Sequence, residues 1–160
     1  MPRYNLRQRG YLVEGWMNIK RFLPRVSSPL YHGTKVGKIY NIVTKRKGIV
    51  PSKRYNFDGN KGVSLSRMMD VSRWFGDYFI VVDKSKLDKR KLMPVRYGKG
   101  VIAMPDEAEE RYEGVIPFEW IAGVVKHSGK IDNDEYEELF KGLRIPIIHK
   151  VDKRYVEYAS

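Results

Sequence analysis

Three positions far apart in the chain carry side chains that could serve one reaction. They are His32 within Leu30-Tyr31-His32-Gly33-Thr34, the serines of Val63-Ser64-Leu65-Ser66, and a carboxylate from the acidic run at 106–113. An imidazole at a strand end can hydrogen-bond a ribose hydroxyl through one ring nitrogen, and a following glycine lets a ligand approach the backbone closely. A carboxylate beside that ribose stabilises positive charge as a leaving group departs, and can orient or deprotonate a nucleophile. Each feature also has a plain structural role: His32 as a satisfied turn residue, Ser64 and Ser66 as half-buried strand residues, the acidic run as a solvated face. The chain has no cysteine, which excludes disulfides, thiolate zinc sites and cysteine nucleophiles. Its histidines, His32, His127 and His149, lack the spacing of metal ligands, so no metal is expected.

The elements that must position these residues read as a mixture of short strands and short helices. Leu30–Thr34 reads as a strand ending in a turn, and Val36, Ile39, Ile42 and Val43 follow at helical spacing until Gly48 stops them. Residues 51–62, with Asp58-Gly59-Asn60, read as a loop. Val63–Ser66 alternates like a strand, Met68–Phe75 reads as a helix stopped at Gly76, and Tyr78–Val82 is a continuous apolar run of buried-strand type. Past Leu92-Met93-Pro94-Val95 the chain loops through Gly98 and Gly100 into the acidic run. Ile116-Pro117 then leads into a helical turn and a strand over 121–125. Asp132–Phe140 is an amphipathic helix with Asp132 or Asn133 as cap and Gly142 as stop, and Ile145–Ile148 is a last strand. Without βαβ regularity the class is α+β. The 160 residues suit one domain, divided here as a basic amphipathic segment over 1–28, packed on a body over 29–160.

Order and spacing raise the joint case for one site. Leu30-Tyr31-His32-Gly33-Thr34 resembles the first motif of ADP-ribosyltransferases of the His–Tyr–Glu type, in which the His holds the NAD ribose. The following helix, Gly48-Ile49, the Val63-Ser64-Leu65-Ser66 strand and the next helix fit that superfamily. Ala108-Glu109 followed by Ile116-Pro117-Phe118-Glu119-Trp120-Ile121 resembles the closing motif of the DarT branch, in which an Ala-Glu pair, a short strand and a Val/Ile-Pro step lead into a helical turn; its members transfer ADP-ribose to bases of single-stranded DNA. The resemblance spans roughly residues 30–125. It implies two small facing mixed sheets with short flanking helices around an NAD cleft, with NAD as substrate. It also implies a catalytic pair of His32 and Glu109, with Glu110 as the alternative one residue on. NAD contacts would come from Tyr31, His32, Gly33, Thr34, Ser64, Ser66 and Arg67, the last either at the pyrophosphate or simply on the surface. The superfamily's central Tyr is missing from Ser72-Arg73-Trp74-Phe75, where Trp74 or Phe75 would supply the ring unless both belong to the core.

Charge narrows the partner. Lys and Arg number 31 against 19 Asp and Glu, a formal charge of +12, which concentrates polyanions near the surface. The basic residues cluster at Arg3, Arg7 and Arg9, at Lys45, Arg46, Lys47, Lys53 and Arg54, and at Lys84, Lys86, Lys89, Arg90 and Lys91. With Tyr4, Tyr11, Tyr55 and Phe57 among or near them, these fit a nucleic-acid groove, for which Lys45, Arg46, Lys47, Lys53 and Arg54 are the candidate contacts. An acidic protein acceptor satisfies the same charge. No apolar run approaches the roughly 18 residues of a membrane span. The basic start lacks the apolar stretch and cleavage site of an export signal. A cytoplasmic protein is expected, and the resemblance places such small basic chains in phages or toxin–antitoxin systems. Two other functions share the pattern: an NAD-dependent RNA 2′-phosphotransferase, kept open by Arg67 and Arg73, and a non-enzymatic basic binder of nucleic acid or an acidic protein.

Overall fold

The structure, a computed structural model, describes residues 18–51, 62–69, 75–94 and 109–159. Its strands are β1 (Pro29–Thr34), β2 (Val63–Ser66), β3 (Tyr78–Asp83), β4 (Leu92–Pro94), β5 (Glu109–Tyr112), β6 (Ile121–Lys126), β7 (Ile147–Val151) and β8 (Arg154–Glu157). Its helices are α1 (Val36–Ile39), which runs into a π-helical turn at Tyr40–Thr44, and α2 (Asn133–Leu139). The class is α+β. Among the described residues the strands form one mixed sheet in the order β4-β5-β2-β1-β3-β6-β7-β8. Every pairing is antiparallel except β6 with β7, whose crossover carries α2.

The continuous apolar run of β3 explains the centre of the sheet. All six of its residues are buried, as a strand covered on both faces requires. Alternation sends Phe79 and Val81 to one face, with Tyr31, Val125, Ile148 and, from the preceding segment, Ile19, Leu23 and Val26. It sends Tyr78, Ile80 and Val82 to the other, with Leu30, Leu65, Val124, Ile147 and Phe140. Each fully buried aliphatic or aromatic side chain contributes about 1.5–3 kcal/mol of transfer free energy, so this strand anchors both layers.

The helical spacing after β1 yields a short helical stretch whose Ile39, Ile42 and Val43 point inward. It ends before Gly48, which has φ +74 and passes so close to residue 116 that a Cβ would lie 2.2 Å from the Ile116 carbonyl oxygen. That passage forms the reciprocal Ile49–Ile116 bridge, with both N–H···O distances 2.9 Å. In α2 the Asp132 side chain caps the Glu135 N–H at 2.8 Å, and Asp134 and Glu135 lie in the first turn, where negative charge complements the helix dipole. Thr44 Oγ1 donates to the Leu139 carbonyl at 2.8 Å, tying α2 to the π-helical turn.

The sheet expected as two facing halves is a single hydrogen-bonded order with one narrow seam. β1 meets β3 over six registered pairs and β2 meets β5 over four, but β1 and β2 register only at Tyr31↔Ser66. β4 and β8 were not anticipated, and β5 was expected only as the short strand that the resemblance sets between Ala108-Glu109 and Ile116-Pro117. β5 lies within the acidic run and β8 after the supposed last strand, while that last strand begins at Ile147 rather than at residue 145. The helix expected over 68–75, the loop expected over 51–62 and the arm at 1–17 fall wholly or largely outside the described residues. Among the described residues no helix is long and apolar enough to cross a membrane.

Candidate functional site

His32 stands on β1 beside the seam, half-buried, opposite Ile80 of β3. Its Nδ1 lies 2.8 Å from the Ser64 carbonyl oxygen on β2. A carbonyl can only accept, so Nδ1 carries the proton and donates. Burial holds the imidazole below its ordinary pKa, against the opposing pull of the Ser64 carbonyl, and the charge of Lys38 on α1 lowers it further. The ring is therefore neutral at physiological pH, and Nε2 is its acceptor nitrogen. A neutral imidazole with that tautomer suits accepting a hydrogen bond from a hydroxyl. Gly33 follows, half-buried at the same seam.

Strand register joins the second and third elements to each other. Ser66 pairs with Glu109 and Ser64 with Arg111, so these four share one face of the β2–β5 ladder. Ser64 Oγ donates to Glu109 Oε1 at 2.6 Å. Arg111 Nη2 donates to the same oxygen at 3.0 Å. Glu109, Glu110 and Arg111 are all buried, which overturns the solvated-face reading for this part of the acidic run, whereas Glu113 is exposed and residues 106–108 lie outside the described residues. An isolated buried carboxylate would be costly, and the adjacent guanidinium and hydroxyl compensate it.

Alternation on β5 also separates the two candidate carboxylates. Glu109 turns toward Ser64, whereas Glu110 turns to the opposite face and pairs with Lys84 Nζ at 2.7 Å. Glu109 is thus the carboxylate that contacts Ser64, while His32 meets only the Ser64 carbonyl and its neighbour Tyr31 is the β1 residue registered with Ser66. Ser64 thus meets both neighbouring strands by different groups: its backbone carbonyl accepts from His32, and its hydroxyl donates to Glu109.

The remaining candidates are placed unequally. Tyr31, expected among the NAD contacts, is 2% exposed and packs edge-on against Phe79 at 5.5 Å in the core. Ser66 is buried and its Oγ accepts from the Met68 N–H at 3.0 Å, shaping the turn after β2. Thr34 is also buried, and its Oγ1 has no hydrogen-bond partner among the described residues. Neither Tyr31 nor Thr34 presents its side chain to a ligand, because strand alternation and the end of β1 turn both inward. Arg67 is exposed immediately after β2. Trp74, Lys53 and Arg54 lie outside the described residues, as do Arg73 and Ala108.

Lys45, Arg46 and Lys47 are exposed together after the π-helical turn. Lys45 Nζ sits 5.3 Å from the centroid of the half-exposed Tyr40 ring, and the Arg46 guanidinium lies 5.0 Å from that of Phe118. Lys35 and Lys38 are exposed on the preceding residues, so the basic surface begins next to β1 and runs along one segment of chain. Tyr40, Lys38 and Arg111 were not anticipated as part of the site or its surroundings. The signal for Arg111 was its i+2 spacing from Glu109, which is informative only once residues 109–112 are known to be a strand. Among the described residues no group of His, Asp and Glu is arranged to hold a metal ion. No family model matches the chain, and neither a curated protein nor a solved structure matches it significantly.

Proposed function

We propose that this chain transfers ADP-ribose from NAD to a macromolecular acceptor, with nucleic acid favoured over an acidic protein. The observation that carries the reading is that Ser64 links the neighbourhoods of His32 and Glu109: its carbonyl lies 2.8 Å from His32 Nδ1 and its hydroxyl donates to Glu109 at 2.6 Å. The narrowing of pairing between β1 and β2 to Tyr31↔Ser66 supports reading a cleft between two sheet halves there. A cytoplasmic setting suits the use of NAD.

His32 Nε2 accepts a hydrogen bond from a ribose hydroxyl and so orients the sugar, while Gly33 admits the substrate close to the backbone. The bond between ribose C1′ and the nicotinamide nitrogen breaks, and its electron pair leaves with nicotinamide. Glu109 stabilises the oxocarbenium-like sugar electrostatically. An acceptor nucleophile then forms the new bond at C1′ and gives up its proton to Glu109. Lys45, Arg46 and Lys47 supply the attraction for a polyanionic acceptor.

Incubation of the full chain with labelled NAD and single-stranded DNA, RNA or a protein extract tests the reading. Label is expected in a nucleic-acid fraction, with loss of transfer in Glu109→Gln. Transfer to polypeptide alone would move the acceptor to an acidic protein. Removal of a 2′-phosphate from RNA without retained label would favour the phosphotransferase reading. Nucleic-acid binding without any NAD consumption would leave a non-enzymatic binder.

A further inference from the structure

The mechanism above gives Arg111 no part. Its side chain is 4% exposed, that of Glu109 8%, and the two are joined at 3.0 Å. Residues i and i+2 of a strand project from one face, so to reach Glu109 the arginine stem must fold back along β5. Gly62 makes the room: a Cβ there would lie 2.6 Å from Arg111 Cγ and 3.0 Å from its Cδ. Ser64, the register partner of Arg111, meets the same Glu109 Oε1 at 2.6 Å. Two donors converging on one oxygen hold Oε1 of that carboxylate in place.

We propose that Arg111 is the positioning residue of the transfer site: it orients Glu109 toward the developing ribosyl cation and acts only through Glu109, without touching NAD. The inference rests on the proposed function. A merely structural buried ion pair would appear in stability, since removing one partner leaves the other charge buried and uncompensated. A positioning role appears in kcat, where misplacement of a group by about 1 Å costs about 10²-fold.

Nicotinamide release by the full chain should be followed in wild type, Arg111→Lys, Arg111→Met, Glu109→Gln and the double variant, with calorimetric NAD binding on each. Arg111→Met should lower kcat about 10²-fold at unchanged KM and NAD affinity, and Arg111→Lys, which retains a cation on a similar stem, should recover part of it. In the Glu109→Gln background, Arg111→Met should cost nothing more, because residues acting as one unit are non-additive. That comparison decides the matter even where Arg111→Met alone fails to fold, since the double variant leaves no lone buried charge. Wild-type kcat in Arg111→Met, or a multiplicative loss in the double variant, overturns the positioning role alone. A wild type that releases no nicotinamide with any acceptor overturns the proposed function and this inference with it.

Discussion

Glu109 and Glu110 are neighbours in the chain and face opposite sides of the sheet, one held by Ser64 and Arg111, the other by Lys84. A one-residue error of register would exchange them. They are therefore a matched pair for separating catalytic charge from charge that serves packing.

Glu109→Gln keeps the shape of the side chain and removes its charge. Turnover of NAD should fall about 10²–10³-fold, the effect of losing a preorganised electrostatic contact of about 2.7–4 kcal/mol, while NAD binding changes little. Glu110→Gln should leave turnover at the wild-type level, because that side chain is turned away from Ser64. Steady-state nicotinamide release on both variants checks this, and the reverse pattern would move the catalytic assignment to Glu110.

His32→Ala should weaken NAD binding by about 1–3 kcal/mol, the effect of a lost polar contact, with the strand intact. The pH dependence has a definite sign. Burial depresses the imidazole below its ordinary value of 6.5, and protonation would turn Nε2 from acceptor into donor. Affinity for NAD should be level from pH 8 to about 6.5 and fall only below that. Titration calorimetry across that window tests it, and an affinity that rises on acidification would rule out the acceptor role.

His149 is a second neutral imidazole, and it governs stability rather than ligand binding. Its Nδ1 accepts from the Ile131 N–H at 2.9 Å and its ring meets Tyr158 edge-on at 5.4 Å. Burial lowers its pKa first, and the charges of Lys130 and Lys126 lower it further. The unfolded chain therefore takes up the proton at higher pH than the folded one. Stability should be full above the unfolded value of about 6.5 and decline as pH drops toward the depressed folded value. His149→Asn, whose Oδ1 substitutes for Nδ1 as acceptor, should flatten that decline in melting temperature between pH 7 and 5. The buried His32 adds a slope of the same sign, which the variant retains.

Replacing Lys45, Arg46 and Lys47 with Glu should weaken nucleic-acid binding without altering NAD affinity. For single strands each phosphate contact contributes about −0.7 to the slope of log K against log salt, so losing three should make the slope shallower by about 2. Binding isotherms at several salt concentrations measure this directly. An unchanged slope would detach the basic segment from the nucleic-acid interface.

Much of the fold was legible because its core strands announce themselves: Tyr78–Val82 is apolar throughout, and Asp132 with Gly142 brackets α2. His32 and Ser64 were legible as candidates because glycine and serine beside short apolar runs are local signals. β5 was not legible in its own residues. Glu-Glu-Arg-Tyr has the composition of a surface, and its burial depends on partners supplied from β2 and on Lys84, far away in sequence. Tyr31 was misplaced for the converse reason. Its position beside His32 suggested the cleft, yet alternation turns neighbours on a strand to opposite faces, and Phe79 receives the ring.

The sheet order also sets a timetable for folding. β6, α2, β7 and β8 lie within residues 121–157 and pair largely with their neighbours in sequence. β2 and β5, by contrast, join Ser66 to Glu109 across a long intervening stretch. Closing so long a loop carries an entropic cost that sequence-local pairings avoid, so the ladder that brings Ser64 to Glu109 forms after the β6–β8 unit. It is also attached to the rest of the sheet at the narrow seam, so it should be the first cooperative unit to open. Amides of residues 63–66 and 109–112 would then exchange with solvent deuterium before those of 78–83, and a ligand bridging His32 and Glu109 would slow that exchange most.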